Sequence, residues 1–98
     1  MKQREGEQGN GTVVPLNRLN PGQAGRIVRV GGQAAVRRRL LELGLVRGEL
    51  ITVERVAPLG DPVEFTIKGY HLSLRRRDAA RIEVEVTNDV TDNGKRSV

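Results

Sequence analysis

The chain has 98 residues, a formal net charge of +5, one histidine and no cysteine. A length of about 100 residues is typical of one domain with a small core, which leaves no room for a deep pocket beside it. The lack of cysteine excludes a disulfide framework, a Cys-based zinc site and a thiol nucleophile, and no apolar run approaches the roughly 18–20 residues that cross a bilayer.

The two ends of the chain are polar. Residues 1–11 contain no apolar side chain after Met1, and residues 87–98 have the sequence TNDVTDNGKRSV. Such compositions cannot offset the entropy lost on ordering, so we expect disordered tails at 1–11 and 87–98 around a folded unit at 12–86. The N-terminal segment lacks the apolar stretch of a signal peptide, which together with the absence of cysteine indicates a cytoplasmic protein.

The folded unit begins with strand and turn signals. Pro15 suggests an edge strand, because proline cannot donate a hydrogen bond to a neighbouring strand. Pro21 and Gly22 form a turn, since proline presets φ and glycine accepts a positive φ. Residues 26–30, with the sequence RIVRV, predict the first long strand.

A helix is predicted after this strand. Three apolar residues recur at the spacing of one helical face: Val36, Leu40 and Leu43. Gly44 is expected to end the helix in the left-handed conformation, with Leu45 folding back onto the helix. Leu41 lies off the main apolar face, so it is either covered by another element or exposed.

The second half of the unit alternates strands and turns. A turn at Gly48 is followed by strand signals at 49–57, 63–68 and 70–74, then by a single helical turn in RRRDAA and a last strand at 82–86. Gly69 separates the middle two strands. Strict alternation directs the following side chains inward: Val63, Phe65, Ile67, Tyr70, Leu72, Leu74, Ile82, Val84 and Val86.

A proline-rich corner interrupts these strands. Pro58, Gly60 and Pro62 are expected to preset its backbone, with Asp61 bonding its own backbone as a turn residue. Leu59 at the tip has two interpretations of equal weight: it is an exposed anchor for a partner, or it covers the end of the fold.

The element order predicts a mainly β protein with a small α part. Five to six short strands, one inserted helix and one short C-terminal helical turn in about 70 residues are typical of an SH3-like β-barrel.

Residues suited to catalysis or metal binding are scarce. His71 faces solvent on an alternating strand, and a metal site there would need Glu64, Glu83 or Glu85 to come near it; a solvated surface histidine is the favoured interpretation. The pair Gly31-Gly32 matches neither common phosphate-loop motif. We therefore expect no catalytic residue, no metal site, no cofactor and no small-molecule substrate.

The excess positive charge lies in the folded unit, where thirteen of the 17 cationic residues are found between residues 16 and 86. Two arginine triplets stand out, at 37–39 and 75–77, and a basic folded body favours anionic partners. The alternative is a solvated surface with weak ion pairs. RNA is a minority candidate, because Phe65 and Tyr70 are the only aromatic residues and both are expected in the core.

The ordered set of motifs resembles the FeoA family, small bacterial proteins of ferrous iron transport. The matching residues are Leu19, Pro21-Gly22, Gly25, Arg39-Leu40, Leu43-Gly44-Leu45, Gly48, Pro58-Leu59-Gly60-Asp61-Pro62, Gly69-Tyr70, Leu74-Arg75, Ala79, Ile82 and Val84. Arg47 departs from the pattern, since the family often has proline there. The resemblance implies a non-enzymatic accessory protein that docks on the cytosolic GTP-binding part of the FeoB-type membrane transporter, and so reaches the inner face of the membrane through its partner.

The resemblance leaves the action on FeoB open among gating, altered GTP hydrolysis and assembly. A KOW-like RNA- or ribosome-associated module and a metal-responsive regulatory domain are the alternative functions; DNA is not expected. The candidate partner-binding residues are Leu41, Leu59, Arg37, Arg38, Arg75 and Arg76. The residues expected to shape turns are Pro21, Gly22, Gly44, Gly48, Pro58, Gly60, Asp61, Pro62 and Gly69.

Overall fold

The computed structural model describes residues 11–87, so the tails expected at 1–11 and 87–98 lie outside it apart from Gly11 and Thr87. The elements in chain order are β1 (Val13–Pro15), a 3₁₀ helix (Leu16–Arg18), β2 (Ala24–Val30), α1 (Ala34–Glu42), β3 (Leu50–Val56), β4 (Val63–Ile67), β5 (Tyr70–Leu74), α2 (Arg76–Ala79) and β6 (Ile82–Thr87). None of the helices in this range is long and apolar enough to span a membrane.

The six strands form one antiparallel sheet in the order β1-β6-β2-β3-β4-β5. The mainly β fold class is confirmed, with α1 inserted after the first long strand and α2 before the last strand. The pairing leaves β1 and β5 as the two edges of the sheet. Contacts between the 3₁₀ helix and α2 join these two ends of the fold instead of strand pairing.

The core is formed by the inward faces of the strands together with α1. Val63, Phe65 and Ile67 are all at most 3% exposed, which confirms their predicted direction. Tyr70 was predicted to be in the core, and this is wrong: it is 42% exposed, and its hydroxyl donates a hydrogen bond to the main-chain oxygen of Leu43. It directly follows a tight turn on an edge strand, so its ring reaches across the end of α1 instead of entering the core.

The end of α1 has the hydrogen bonds of a Schellman motif. The Leu45 N–H bonds to the Leu40 carbonyl at 3.2 Å and the Gly44 N–H to the Leu41 carbonyl at 2.9 Å, with Gly44 at φ +96°. Leu40 and Leu45 are fully buried. The prediction that Leu43 shares the apolar face is wrong: it is the C-cap, is 37% exposed, and half-buried Leu41 packs against the core.

Candidate docking surface

The corner between β3 and β4 presents one leucine to solvent. The Gly60 N–H bonds to the Ala57 carbonyl at 2.7 Å, and the Ala57 N–H bonds to the Pro62 carbonyl at 3.0 Å. Gly60 has φ +95°, a value that glycine adopts without steric cost. Leu59 at the tip is 97% exposed. The alternative in which Leu59 covers the end of the fold is therefore wrong.

Arg76 fixes this corner to two other parts of the chain. Its backbone N–H bonds to Asp61 Oδ1 at 2.9 Å, and its Nε bonds to the Gly60 carbonyl at 2.5 Å. Its Nη1 also reaches the Asn17 carbonyl, at 3.3 Å, next to the opposite end of the sheet. Asp61 was predicted to bond its own backbone; it instead accepts from the first residue of α2, because α2 starts beside the corner.

We use the name Leu59 surface for Leu59 together with Arg75 and Arg77, the neighbours of Arg76 in sequence. Both arginines are exposed and flank the half-buried Arg76. Neither has a side-chain hydrogen bond or ion pair to another residue in the range 11–87. Arg75 and Arg77 thus carry exposed charges adjacent in sequence to the residue that holds the Leu59 corner, whereas Arg76, predicted as a partner-binding residue, is engaged within the fold.

The first arginine triplet is divided among different roles. Arg37 Nε donates to the Val30 carbonyl at 2.9 Å, which ties α1 to the end of β2. Arg39 pairs at 3.3 Å with Asp78, a carboxylate that is only 9% exposed and also lies 4.0 Å from Arg81. Arg38 is exposed. The triplet therefore does not form one patch, because consecutive helical positions point in different directions.

His71 lies on the outer face of the sheet in a cleft of about 390 Å³. Its Nδ1 is 3.1 Å from Thr66 Oγ1, and the Thr66 hydroxyl donates to Glu54 at 2.5 Å. Glu64 lines the same cleft but pairs with Arg55 at 2.9 Å. Across residues 11–87 the histidine and carboxylate side chains form no group of three suited to hold a metal ion.

A second cleft, of about 420 Å³, was not predicted from the sequence. We call it the arginine cleft; it is lined by Val28, Arg29, Val30, Gly31, Gly32, Arg37, Leu41 and Arg47. Its lining residues come from β2, α1 and the turn before β3, so no local sequence motif predicts the cleft. Leu41 and Arg37, two of the predicted partner-binding residues, thus face this cleft and not the Leu59 surface.

Comparison with known proteins identifies the family. The model of the FeoA domain matches residues 14–86. The chain is 52% identical over 71 residues to a fusion of Fe(2+) transport protein A with the Fe(2+) transporter FeoB from Porphyromonas gingivalis. That alignment covers 72% of this chain and 8% of the fusion protein, so the chain spans a small part of this curated relative.

Solved structures of FeoA proteins also resemble this chain. A FeoA-like protein from Clostridium acetobutylicum superposes with a TM-score of 0.73 at 36% identity, covering 78% of this chain and 88% of that one. FeoA from Stenotrophomonas maltophilia, a prokaryotic SH3 domain protein solved with zinc, gives 0.62 at 29% identity over 74% and 87% of the two chains. The chain therefore belongs to the FeoA family of non-enzymatic accessory proteins of ferrous iron transport, and it has the SH3-like fold of that family.

Proposed function

We propose that this protein works in the cytoplasm as an adaptor that docks on the cytosolic GTP-binding part of a FeoB-type transporter. The main support for the proposal is that a domain 52% identical to this one is fused to FeoB in the relative from Porphyromonas gingivalis. A covalent link keeps two modules at a high effective concentration, which favours their contact. Where two modules are not covalently linked, a recognition surface has to provide the same proximity.

The Leu59 surface is the part of the fold best suited to that recognition. Leu59 is 97% exposed on a corner whose backbone is already fixed by internal hydrogen bonds, so binding would order little additional structure. Burying a leucine side chain contributes about 1.5–3 kcal/mol, roughly a tenfold to hundredfold effect on affinity. The exposed charges of Arg75 and Arg77, on either side of Arg76 in sequence, would attract an acidic partner face and accelerate encounter.

The test is the affinity of Leu59 variants for the purified cytosolic part of the cognate FeoB, with no nucleotide, with GDP and with a GTP analogue. We expect Leu59→Ser to weaken binding about tenfold or more, with Leu59→Asp weaker still. The matched control is Asn20→Asp, which adds the same charge at another exposed turn. Amide spectra of each variant establish that the fold is retained.

Two results would count against the proposal. Absence of binding in all three nucleotide states would refute the adaptor function. Equal losses of affinity in Leu59→Asp and Asn20→Asp would show that the protein docks through a surface other than the Leu59 surface. Where binding is found, GTP hydrolysis and iron uptake measured with and without the protein distinguish gating, altered hydrolysis and assembly. Arg76→Glu is unsuitable as an interface variant, because Arg76 holds the corner together.

A further inference from the structure

The arginine cleft concentrates positive charge in a concave site. Three of its eight lining residues are arginines, and none is acidic. Arg29 comes from β2, Arg37 from α1 and Arg47 from the turn before β3, so the fold brings together charges that are up to 18 positions apart in sequence. These charges would attract an anion, and the acidic side chain that it would displace is Glu83, which lies 3.6 Å from Arg29.

One of the three guanidinium groups is held by a hydrogen bond, and a second lies close to the backbone of the cleft. Arg37 Nε donates to the Val30 carbonyl at 2.9 Å, and its other four N–H groups make no hydrogen bond to residues 11–87. Arg29 lies against Gly31, where an added Cβ would be 3.1 Å from Arg29 Nη1. Its ion pair with Glu83 is long, at 3.6 Å, and solvent-exposed, so it is easily exchanged for a ligand.

The third arginine adds further donors. Within the described part of the chain Arg47 makes no ion pair and no side-chain hydrogen bond. The cleft also includes Gly32, just before the start of α1.

We propose that the arginine cleft binds a small molecule through a diphosphate group. Guanidinium forks match phosphate oxygens in pairs, and three of them exceed what a single phosphate requires. A volume of about 420 Å³ is within the range of small-ligand sites and exceeds that of an isolated ion. Val28 and Leu41 form an apolar wall on which an uncharged part of the ligand would rest. The site is independent of the docking function and of the Leu59 surface.

The probe is sodium pyrophosphate, titrated into the ¹⁵N-labelled full chain and followed by amide shifts against sodium chloride of equal ionic strength. We expect saturable shifts at Gly31 and Gly32. Arg47→Gln is expected to weaken the affinity about tenfold, as the loss of one charge-assisted contact predicts. Arg38→Gln, which removes an exposed charge from α1 outside the cleft, is the matched control and is expected to change affinity less than about twofold.

Further ligands identify the source of the diphosphate. Tighter binding of ADP or GDP than of pyrophosphate would indicate a nucleotide whose base or sugar contacts the apolar wall, and equal binding would indicate the free diphosphate. Shifts that never saturate, or equal losses in Arg47→Gln and Arg38→Gln, would overturn the proposal in favour of general electrostatic attraction. A polyglutamate peptide that saturates the same amides more tightly than pyrophosphate would assign the cleft to an acidic protein segment instead.

Discussion

Replacing Arg76 by alanine removes one of the side chains that join the two ends of the sheet. Its guanidinium donates to the Gly60 carbonyl, at the β3–β4 corner, and to the Asn17 carbonyl, in the 3₁₀ helix after β1. The described strands do not pair across this gap, because β1 and β5 are the sheet edges. The variant therefore tests whether one side chain replaces the strand pairing that would close the barrel.

The expected loss follows from the two contacts. Hydrogen bonds to charged groups contribute about 1.5–3 kcal/mol each, but the contact with Asn17 is long at 3.3 Å and Arg76 is only half-buried. We therefore expect Arg76→Ala to lower the free energy of unfolding by about 2–3 kcal/mol, out of a typical total of about 5–15 kcal/mol for a small domain. For a domain of this size that corresponds to a fall in Tm of roughly 10–20 °C.

Urea denaturation followed by far-UV circular dichroism measures this difference, since the chain has no tryptophan to serve as a fluorescent probe. Arg77→Ala is the matched control: it removes an exposed arginine from the same helix and is expected to change stability by at most about 0.5 kcal/mol. If both variants lose the same amount, the two backbone contacts of Arg76 do not close the fold.

Two further predictions concern glycines. Gly44 and Gly48 both have φ near +95°, but a Cβ at Gly44 would also lie 2.7 Å from the Tyr70 hydroxyl oxygen. Gly44→Ala should therefore cost about 1 kcal/mol more than Gly48→Ala in urea denaturation, and a Tyr70→Phe background should remove the difference. At Gly25 a Cβ would lie 2.7 Å from Val84 Cγ2, so Gly25→Ala should cost about 1–3 kcal/mol. A double-mutant cycle with Val84→Ala that shows no coupling would contradict this steric account.

The strands and the helix were predictable because their signals are local. Alternation at Val63, Phe65 and Ile67 specifies an inward face whatever the neighbouring strands are, and all three side chains are buried. The end of α1 is equally local, since Gly44 takes the left-handed conformation and Leu45 folds back by a bond to Leu40. Each of these features depends on residues at most six positions apart.

The wrong predictions concern side chains whose positions depend on tertiary contacts. Tyr70 follows the alternation of its strand, yet it is exposed, because it begins an edge strand and its hydroxyl bonds to the carbonyl of Leu43, 27 residues away. Asp61 has the composition of a turn residue, but α2 starts beside it and its carboxylate accepts the N–H of Arg76. Neither partner is visible in the sequence, since both come from distant segments.

The composition of the candidate sites also depends on tertiary packing. The runs of arginine at 37–39 and 75–77 predict two basic patches, but adjacent members of each run have different surroundings. Arg39 pairs with a buried carboxylate and Arg37 lines the arginine cleft. The third charge of that cleft, Arg47, is isolated in the sequence. Charge runs thus indicated a basic surface, while the grouping of the charges depended on how β2, α1 and the following turn pack.

Leu59 lies outside the contacts that hold the β3–β4 corner, which makes its proposed role in recognition testable. A side chain that is 97% exposed contributes almost nothing to folding, so Leu59 can be changed without altering the free energy of unfolding. The rigidity of the corner comes instead from Gly60 and from the bonds that Arg76 makes. A variant at Leu59 should therefore lose affinity at constant stability, whereas a variant at Arg76 should lose stability first and affinity only as the corner loosens. If a Leu59 variant kept its affinity for the partner, the exposed leucine would have no role in recognition.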